Sequence, residues 1–156
     1  MLKKIFLVLL IVFIIIQFFR PEKNIAATPS SNDISSIHYL PDSIHEILQT
    51  GCYDCHSNTT RYPWYNNIQP VAWWLHSHIT DGKKALNFSE FAGYNVAKQY
   101  KKLTQIIKVV KSGGMPLSSY TIIHRDAVFS EHQKQQLEDW ASAIADSIKP
   151  TLPPTK

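Results

Sequence analysis

Two cysteines and a histidine stand close together in the first half of the chain, in the segment Cys52-Tyr53-Asp54-Cys55-His56. The 156-residue sequence contains no other cysteine. The C-x-x-C-H spacing is the pattern of c-type haem attachment, in which two thiols add to the vinyl groups and the next residue brings an imidazole to the iron. The segment therefore predicts one haem, covalently bound to Cys52 and Cys55, with His56 as the proximal iron ligand.

Other uses of a C-x-x-C pair fit this chain less well. A thioredoxin-like redox site belongs near a βαβ pattern, and no alternation of strands and helices is visible. A structural zinc site closes four ligands, and His76 and His78, which it would have to borrow, face different sides of a helix. A disulfide across two intervening residues would be strained. The haem interpretation is therefore favoured.

An iron bound on one side by His56 has a second axial position, for which Met115 is the leading candidate. Apart from the initiator, Met115 is the only methionine in the sequence. It lies in the segment Gly-Gly-Met-Pro-Leu, residues 113–117, rather than on an apolar helix face where a methionine fills core space. A thioether is a soft ligand, and His/Met ligation raises the reduction potential relative to His/His ligation.

Two histidines are rivals for the same axial position. His78 lies on the apolar stripe of a predicted helix, and His124 follows two isoleucines. A histidine in such a place is more often a partly buried side chain than a ligand, although imidazole suits iron. An open sixth position is the remaining alternative. The other histidines are expected at the surface, on helix ends or polar faces: His38, His45, His76 and His132.

The elements that position these residues are predicted to be helices, since helical periodicity dominates and strand-like alternation is scarce. Four helices with long ordered loops are expected, which makes the domain all-α. Asp42 or Ser43 is predicted to cap the first helix, and Pro70 to lie in the first turn of the second, whose apolar stripe is Val71, Trp74, Leu75 and His78. The third helix is predicted to start at Ser89 and to stop at Gly113-Gly114. Ser130 and Gln133 are predicted to form a capping box at the start of the last helix.

The first twenty residues predict export. Lys3 and Lys4 precede a largely apolar stretch, residues 5–19, which Arg20 follows. As a helix this stretch reaches about 22 Å, short of a hydrocarbon core of ~30 Å, but snorkelling of the flanking basic side chains makes up the difference. We therefore favour an uncleaved anchor over a removed signal peptide. Both outcomes put the rest of the chain outside the cytoplasm.

Composition divides the remaining chain into three parts. Residues 21–37 are rich in Pro, Ser, Asn and Ala, which predicts a flexible linker. Residues 38–148 form one domain of ordinary size, and residues 149–156, with three prolines, form a tail.

The charge of the domain gives no support to nucleic-acid binding. Residues 38–148 hold ten basic and ten acidic residues, so the net charge of +4 comes from the two ends of the chain. There is one local imbalance, because seven lysines between Lys83 and Lys111 face a single acid, Glu90. This run is interpreted as a solvated helix face or, alternatively, as a docking patch for an acidic redox partner.

The order of these parts resembles a small class I c-type cytochrome. More closely, residues 38–145 resemble the bacterial haem-binding domain family of exported, cytochrome c-like proteins. The residues that carry this resemblance are Cys52, Cys55, His56, Tyr62-Pro63-Trp64-Tyr65, Pro70, His78-Ile79, Asn87-Phe88-Ser89, Met115-Pro116-Leu117, Tyr120, His124 and Trp140. The resemblance implies a cytochrome c-like helical domain with haem c on Cys52 and Cys55, iron on His56, and haem attachment on the outer side of the bacterial inner membrane.

These expectations favour an electron carrier over an enzyme. His56 and Met115 would both stay on the iron, and the redox partners would be proteins of the respiratory chain. The protein would be anchored in the inner membrane facing the periplasm, or periplasmic if the N-terminal segment is cleaved. The alternatives are a haem-based gas or ligand sensor with an open sixth position, and a peroxidase-like module in which His78 or His124 serves as distal base.

Overall fold

All regular secondary structure in the described part of the chain is helical. The computed structural model describes residues 1–152. It contains no β-strand within those residues, and Ile25 and Thr59 form one isolated antiparallel bridge. The predicted all-α class is therefore confirmed. The end of the predicted tail, residues 153–156, lies outside the described residues, and Lys149–Thr151 forms a short 3-10 turn.

Within residues 1–152 seven α-helices follow one another. They are α1 Leu2–Ile16, α2 Asp42–Gly51, α3 Tyr53–His56, α4 Val71–Ala85, α5 Val96–Lys111, α6 Ser118–Thr121 and α7 Glu131–Ile148. Short 3-10 turns lie between them, at Ile34–Ser36, Trp64–Asn67, Phe88–Gly93 and Arg125–Ala127.

The core forms where α5 packs along α7 and both meet α2. Each helix buries apolar side chains at spacings of three and four, as an amphipathic helix does. The buried side chains are Ile44, Ile47 and Leu48 of α2; Leu103, Ile106 and Val110 of α5; and Leu137, Trp140, Ala141, Ile144 and Ala145 of α7. Two buried aromatic rings from the turn before α5, Phe88 and Phe91, complete this layer.

The last helix, α7, begins as predicted, whereas the predicted third helix, which is α5 in the structure, does not. The Ser130 hydroxyl accepts a hydrogen bond from the Gln133 amide at 3.2 Å, while the Gln133 side chain accepts from the Ser130 amide at 2.9 Å, which confirms the capping box. Helix α5 begins at Val96 rather than at Ser89. Asn95 caps it by accepting from the Lys98 amide at 2.9 Å, and a separate 3-10 turn precedes it.

Helix α4 follows Pro70 as predicted, but of the predicted apolar stripe it buries only Leu75. The predicted stripe was Val71, Trp74, Leu75 and His78, whereas the structure buries Ala72, Leu75 and Ile79 and leaves Trp74 47% exposed. Gly82, which is partly buried, lies three residues beyond Ile79 on the same side of the helix. A Cβ atom at Gly82 would lie 2.5 Å from the backbone oxygen of Cys55, so the glycine lets α4 approach α3 closely and selects this face.

The segment predicted as a flexible linker, residues 21–37, contacts the domain. Ile34 is fully buried in the core. The Asn24 amide side chain donates to the Ser57 backbone oxygen and to the Thr60 hydroxyl, both at 2.9 Å. The Thr60 backbone amide donates in return to the backbone oxygen of Asn24 at 2.9 Å. The small polar residues that indicated a tether thus make specific hydrogen bonds, and the structure differs from the prediction here.

The residues just after α1 are held against a buried glutamine. Gln69 is 1% exposed, and its backbone amide donates to the Gln17 side chain at 2.9 Å. Its side-chain amide donates to the Phe19 oxygen at 2.8 Å, and the Trp73 indole donates to the same oxygen at 2.8 Å. None of the described helices combines the length and the apolar character needed to cross a membrane.

Candidate haem site

The cysteine and histidine motif spans the junction of α2 and α3. Cys52 separates the two helices, and its backbone oxygen accepts hydrogen bonds from the amides of Cys55 at 3.2 Å and His56 at 2.9 Å. Both cysteines are free thiols and partly buried. Burial raises the pKa of Cys52 to about 12 and that of Cys55 to about 11. A thiol-redox site needs lowered thiol pKa values, so these shifts run against that alternative.

The His56 side chain is oriented by a backbone carbonyl at the end of α4. Its Nδ1 lies 3.0 Å from the oxygen of Leu86, which follows the last residue of α4. A carbonyl oxygen only accepts, so Nδ1 carries the proton and Nε2 keeps its lone pair. Burial lowers the pKa of His56 and favours the neutral ring. A neutral imidazole with a free Nε2 and an orienting carbonyl is the form that binds a metal, so His56 fits a haem iron.

Two neighbouring cavities lie beside His56. The larger, of about 370 Å³, extends toward α5 and is called the α5 cavity; the smaller, of about 300 Å³, extends toward α6 and is called the α6 cavity. The residues that line both are Gly51, Cys52, His56, Ala85 and Met115. Each volume lies in the range of small-molecule and cofactor pockets. The shared lining makes the two cavities one continuous candidate site.

The candidate distal ligands differ in their position relative to this site. Met115 lines both cavities, as His56 does. His78 lines the α6 cavity alone, and its ring lies against Trp74 with centroids 4.2 Å apart. His124 is not in the lining of either cavity, and its Nε2 lies 2.9 Å from the Tyr65 hydroxyl. Met115 thus lines the same cavities as His56, and His124 lines neither.

A glycine turn carries Met115 back over the site. Helix α5 ends at Lys111, and Gly113 has φ of 69°, in the left-handed region that favours glycine. The amides of Gly114 and Met115 then donate to the Val109 oxygen at 2.8 and 3.2 Å. The predicted stop at the two glycines is confirmed, and the turn accounts for the return of the chain toward the cavities.

Asp54 is a residue of the site that no sequence pattern singled out. Its carboxylate is buried; Oδ2 accepts from the Tyr120 hydroxyl at 2.8 Å, and Oδ1 accepts from the Arg61 amide at 3.0 Å. Tyr120 belongs to α6, five residues after Met115, and it lines the α6 cavity. Asp54 therefore joins the helix that carries His56 to the segment that carries Met115. The only feature of the sequence that could have pointed to Asp54 was the presence of an acidic residue between the two cysteines.

The remaining histidines do not line either cavity. His38, expected at the surface, is partly buried, and its Nε2 is buried without a hydrogen-bond partner in residues 1–152. Burial lowers the pKa of His38, and its ring meets the edge of Phe91. His45 and His132 are exposed as expected, whereas His76 is half-buried.

The chain was compared with models of known protein families. The model described as a haem-binding domain matches residues 11–143. The chain belongs to this family. Haem is therefore the ligand of this haem-binding domain, in agreement with the free thiols and the neutral His56 ring beside the cavities. No curated protein matches the chain, and no solved structure does.

The hydrogen bond between Tyr120 and Asp54 makes a first prediction. Tyr120→Phe keeps the ring, which stacks on His124 at 4.2 Å, and leaves the Asp54 carboxylate one donor short. Because hydrogen bonds to charged groups contribute about 1.5–3 kcal/mol, we expect a loss of that order in the free energy of unfolding, measured with guanidinium. The control is Tyr39→Phe, since Tyr39 is 85% exposed. Equal unfolding midpoints for the two variants would contradict the role assigned to this bond.

Proposed function

We propose that this haem-binding domain is an exported, monohaem, cytochrome c-like electron-transfer protein. In this proposal the haem is attached covalently to Cys52 and Cys55, and the iron is bound by His56 and Met115. The observation that carries the proposal is that Cys52, His56 and Met115 line both cavities. A haem supplies a one-electron redox couple, and the protein supplies ligation, burial and orientation.

The residues of the chain have separate roles in this proposal. The two thiols hold the cofactor, and the Leu86 carbonyl keeps Nε2 of His56 available by fixing the proton on Nδ1. The apolar lining of the α5 cavity includes Ile106 and Val110, which keep water away from a ligand bound there. A carrier that keeps both axial ligands changes little on reduction, which favours electron transfer over binding of a new ligand.

A specific observation supports a second candidate. His78 lines the α6 cavity together with Tyr120, so a polar side chain would face an iron whose sixth position is open. A gas or ligand sensor, or a peroxidase-like module, would need such an arrangement. Met115 is the competing occupant of that position, and for this reason the electron carrier is the preferred function and an enzyme is not.

We also propose that residues 1–20 export the chain and hold it in the inner membrane, with the domain facing the periplasm and its respiratory redox partners. Lys3 and Lys4 before the apolar residues of α1 support this orientation. Residues 1–20 are expected to persist in the mature protein, which should sediment with the membrane fraction. A mature protein of lower mass in the periplasmic fraction would instead mean that the segment is a cleaved signal.

Covalent attachment of a single haem is tested by mass. The intact protein, denatured after export and haem loading, should carry the mass of one haem. Cys52→Ser and Cys55→Ser should each leave one attachment point, and the double variant should release its haem on denaturation. The thiol count of the sequence allows no second c-type attachment. Release of haem from the denatured wild type would refute covalent attachment while leaving haem binding intact.

The role of Met115 is tested by optical spectra of the loaded protein in both oxidation states. The ferric wild type should show the weak near-infrared band of a methionine–iron bond, and the ferrous form should not bind carbon monoxide. Met115→Ala should lose the band, bind carbon monoxide and lower the reduction potential, because a thioether ligand raises that potential. Leu117→Ala is the matched control, since Leu117 lines the α6 cavity beside the same loop.

A high-spin wild type that binds carbon monoxide readily would overturn the electron-carrier proposal. The sixth position would then be open, and a sensor or a peroxidase-like module would become the preferred function. Loss of the band in Leu117→Ala as well as in Met115→Ala would assign the effect to packing of the loop rather than to ligation.

A further inference from the structure

Helix α5 places a row of polar side chains beside an apolar cavity. Lys102, Gln105 and Lys108 follow one another at a spacing of three, so they lie along one side of the helix. All three line the α5 cavity. The remaining lining is largely apolar and includes Phe88 and Leu137. The cavity therefore combines an apolar wall with polar groups supplied by a single element.

The positive charge of this row is not balanced by nearby acids. Lys102 donates to the Gln105 side-chain oxygen at 3.1 Å, and within residues 1–152 neither Lys102 nor Lys108 forms an ion pair with a carboxylate. The one acid of the lysine-rich stretch, Glu90, accepts from Asn58 at 2.6 Å. Burial, followed by the neighbouring charges of Lys101 and Lys98, lowers the pKa of Lys102. A carboxylate placed here would relieve that repulsion.

A haem has the shape and charge that match such a cavity. Its porphyrin is flat and largely apolar, and its two propionate carboxylates project from the edge opposite the vinyl groups. The vinyl edge belongs near the cysteines in the proposed attachment. Cys52 lines both cavities and Cys55 the α6 cavity alone, so the proposed attachment would place the vinyl edge toward α6 and the propionate edge toward α5.

We infer that Lys102, Gln105 and Lys108 form the carboxylate subsite of this domain and bind the haem propionates through charge-assisted hydrogen bonds. The inference rests on the proposed function, in which the haem is attached at Cys52 and Cys55, and it adds a recognition site on α5. Bonds between ammonium and carboxylate groups are about twice as strong as neutral ones. The other lysines of the helix give an internal comparison, because Lys101 and Lys111 belong to the same helix and do not line the cavity.

The first test uses the covalently loaded, full-length protein with ¹³C at the propionate carboxyl carbons. Infrared spectra report the carboxylate stretching bands of the haem alone. Lys102→Gln/Lys108→Gln should shift these bands, and Lys101→Gln/Lys111→Gln, which removes the same number of charges from α5, should not. Unshifted bands in the first pair, or equal shifts in both pairs, would overturn the subsite.

The second test separates the subsite from the proposed function. In the full-length Cys52→Ala/Cys55→Ala background, Lys102→Gln/Lys108→Gln should weaken haemin binding by about tenfold to a hundredfold and leave haemin dimethyl ester binding unchanged. The ester lacks the charges that the lysines recognise. An equal loss for both ligands would refute the subsite. Neither Met115 ligation nor electron transfer affects this comparison, so a failure of the proposed function would be visible separately in the optical spectra.

Discussion

The short helix α3 must be held from outside, and much of the domain is arranged to hold it. A helix of four residues has no stability of its own, because nucleation is costly and few hydrogen bonds repay it. Helix α4 approaches its backbone at Gly82, and the carbonyl of Leu86 bonds to His56. On the other side the Asp54 carboxylate bonds to Tyr120. The imidazole is thus oriented by contacts on two faces of a helix that could not orient it alone.

The two sides of the candidate site come from distant parts of the chain, and a buried carboxylate joins them. Asp54 and Tyr120 are separated by 66 positions. Burying a carboxylate is costly unless it is hydrogen-bonded, and Asp54 recovers that cost through Tyr120 and Arg61. A change at this carboxylate is therefore expected to loosen the link between the His56 helix and the Met115 segment and to lower the stability of the domain.

Local patterns in the sequence predicted the parts of the fold that local interactions determine. The capping box at Ser130 and the glycine turn after α5 are examples, since each depends on residues within a few positions. The predicted start of α5 was wrong because Ser89 and Asn95 are both plausible helix caps. Which of the two caps the helix is decided only by the packing of the turn between them. The hydrogen bonds of Asn24 join residues far apart in the sequence, so the polar composition of residues 21–37 indicated a linker where the chain is in fact held.

The candidate site shows the same division. The attachment motif was recognisable because its chemistry requires one fixed spacing. His78 and His124 could be distinguished only in the structure, where His78 lines the α6 cavity and His124 lines neither cavity. The α5 cavity and the hydrophobic core also share side chains, since Phe88, Ile106, Val110 and Leu137 belong to both. A haem bound there packs directly on the helices that hold the fold together. Because such a ligand binds the folded chain in preference to the unfolded one, haem affinity and folding stability are linked, and substitutions in this shared layer are expected to change both.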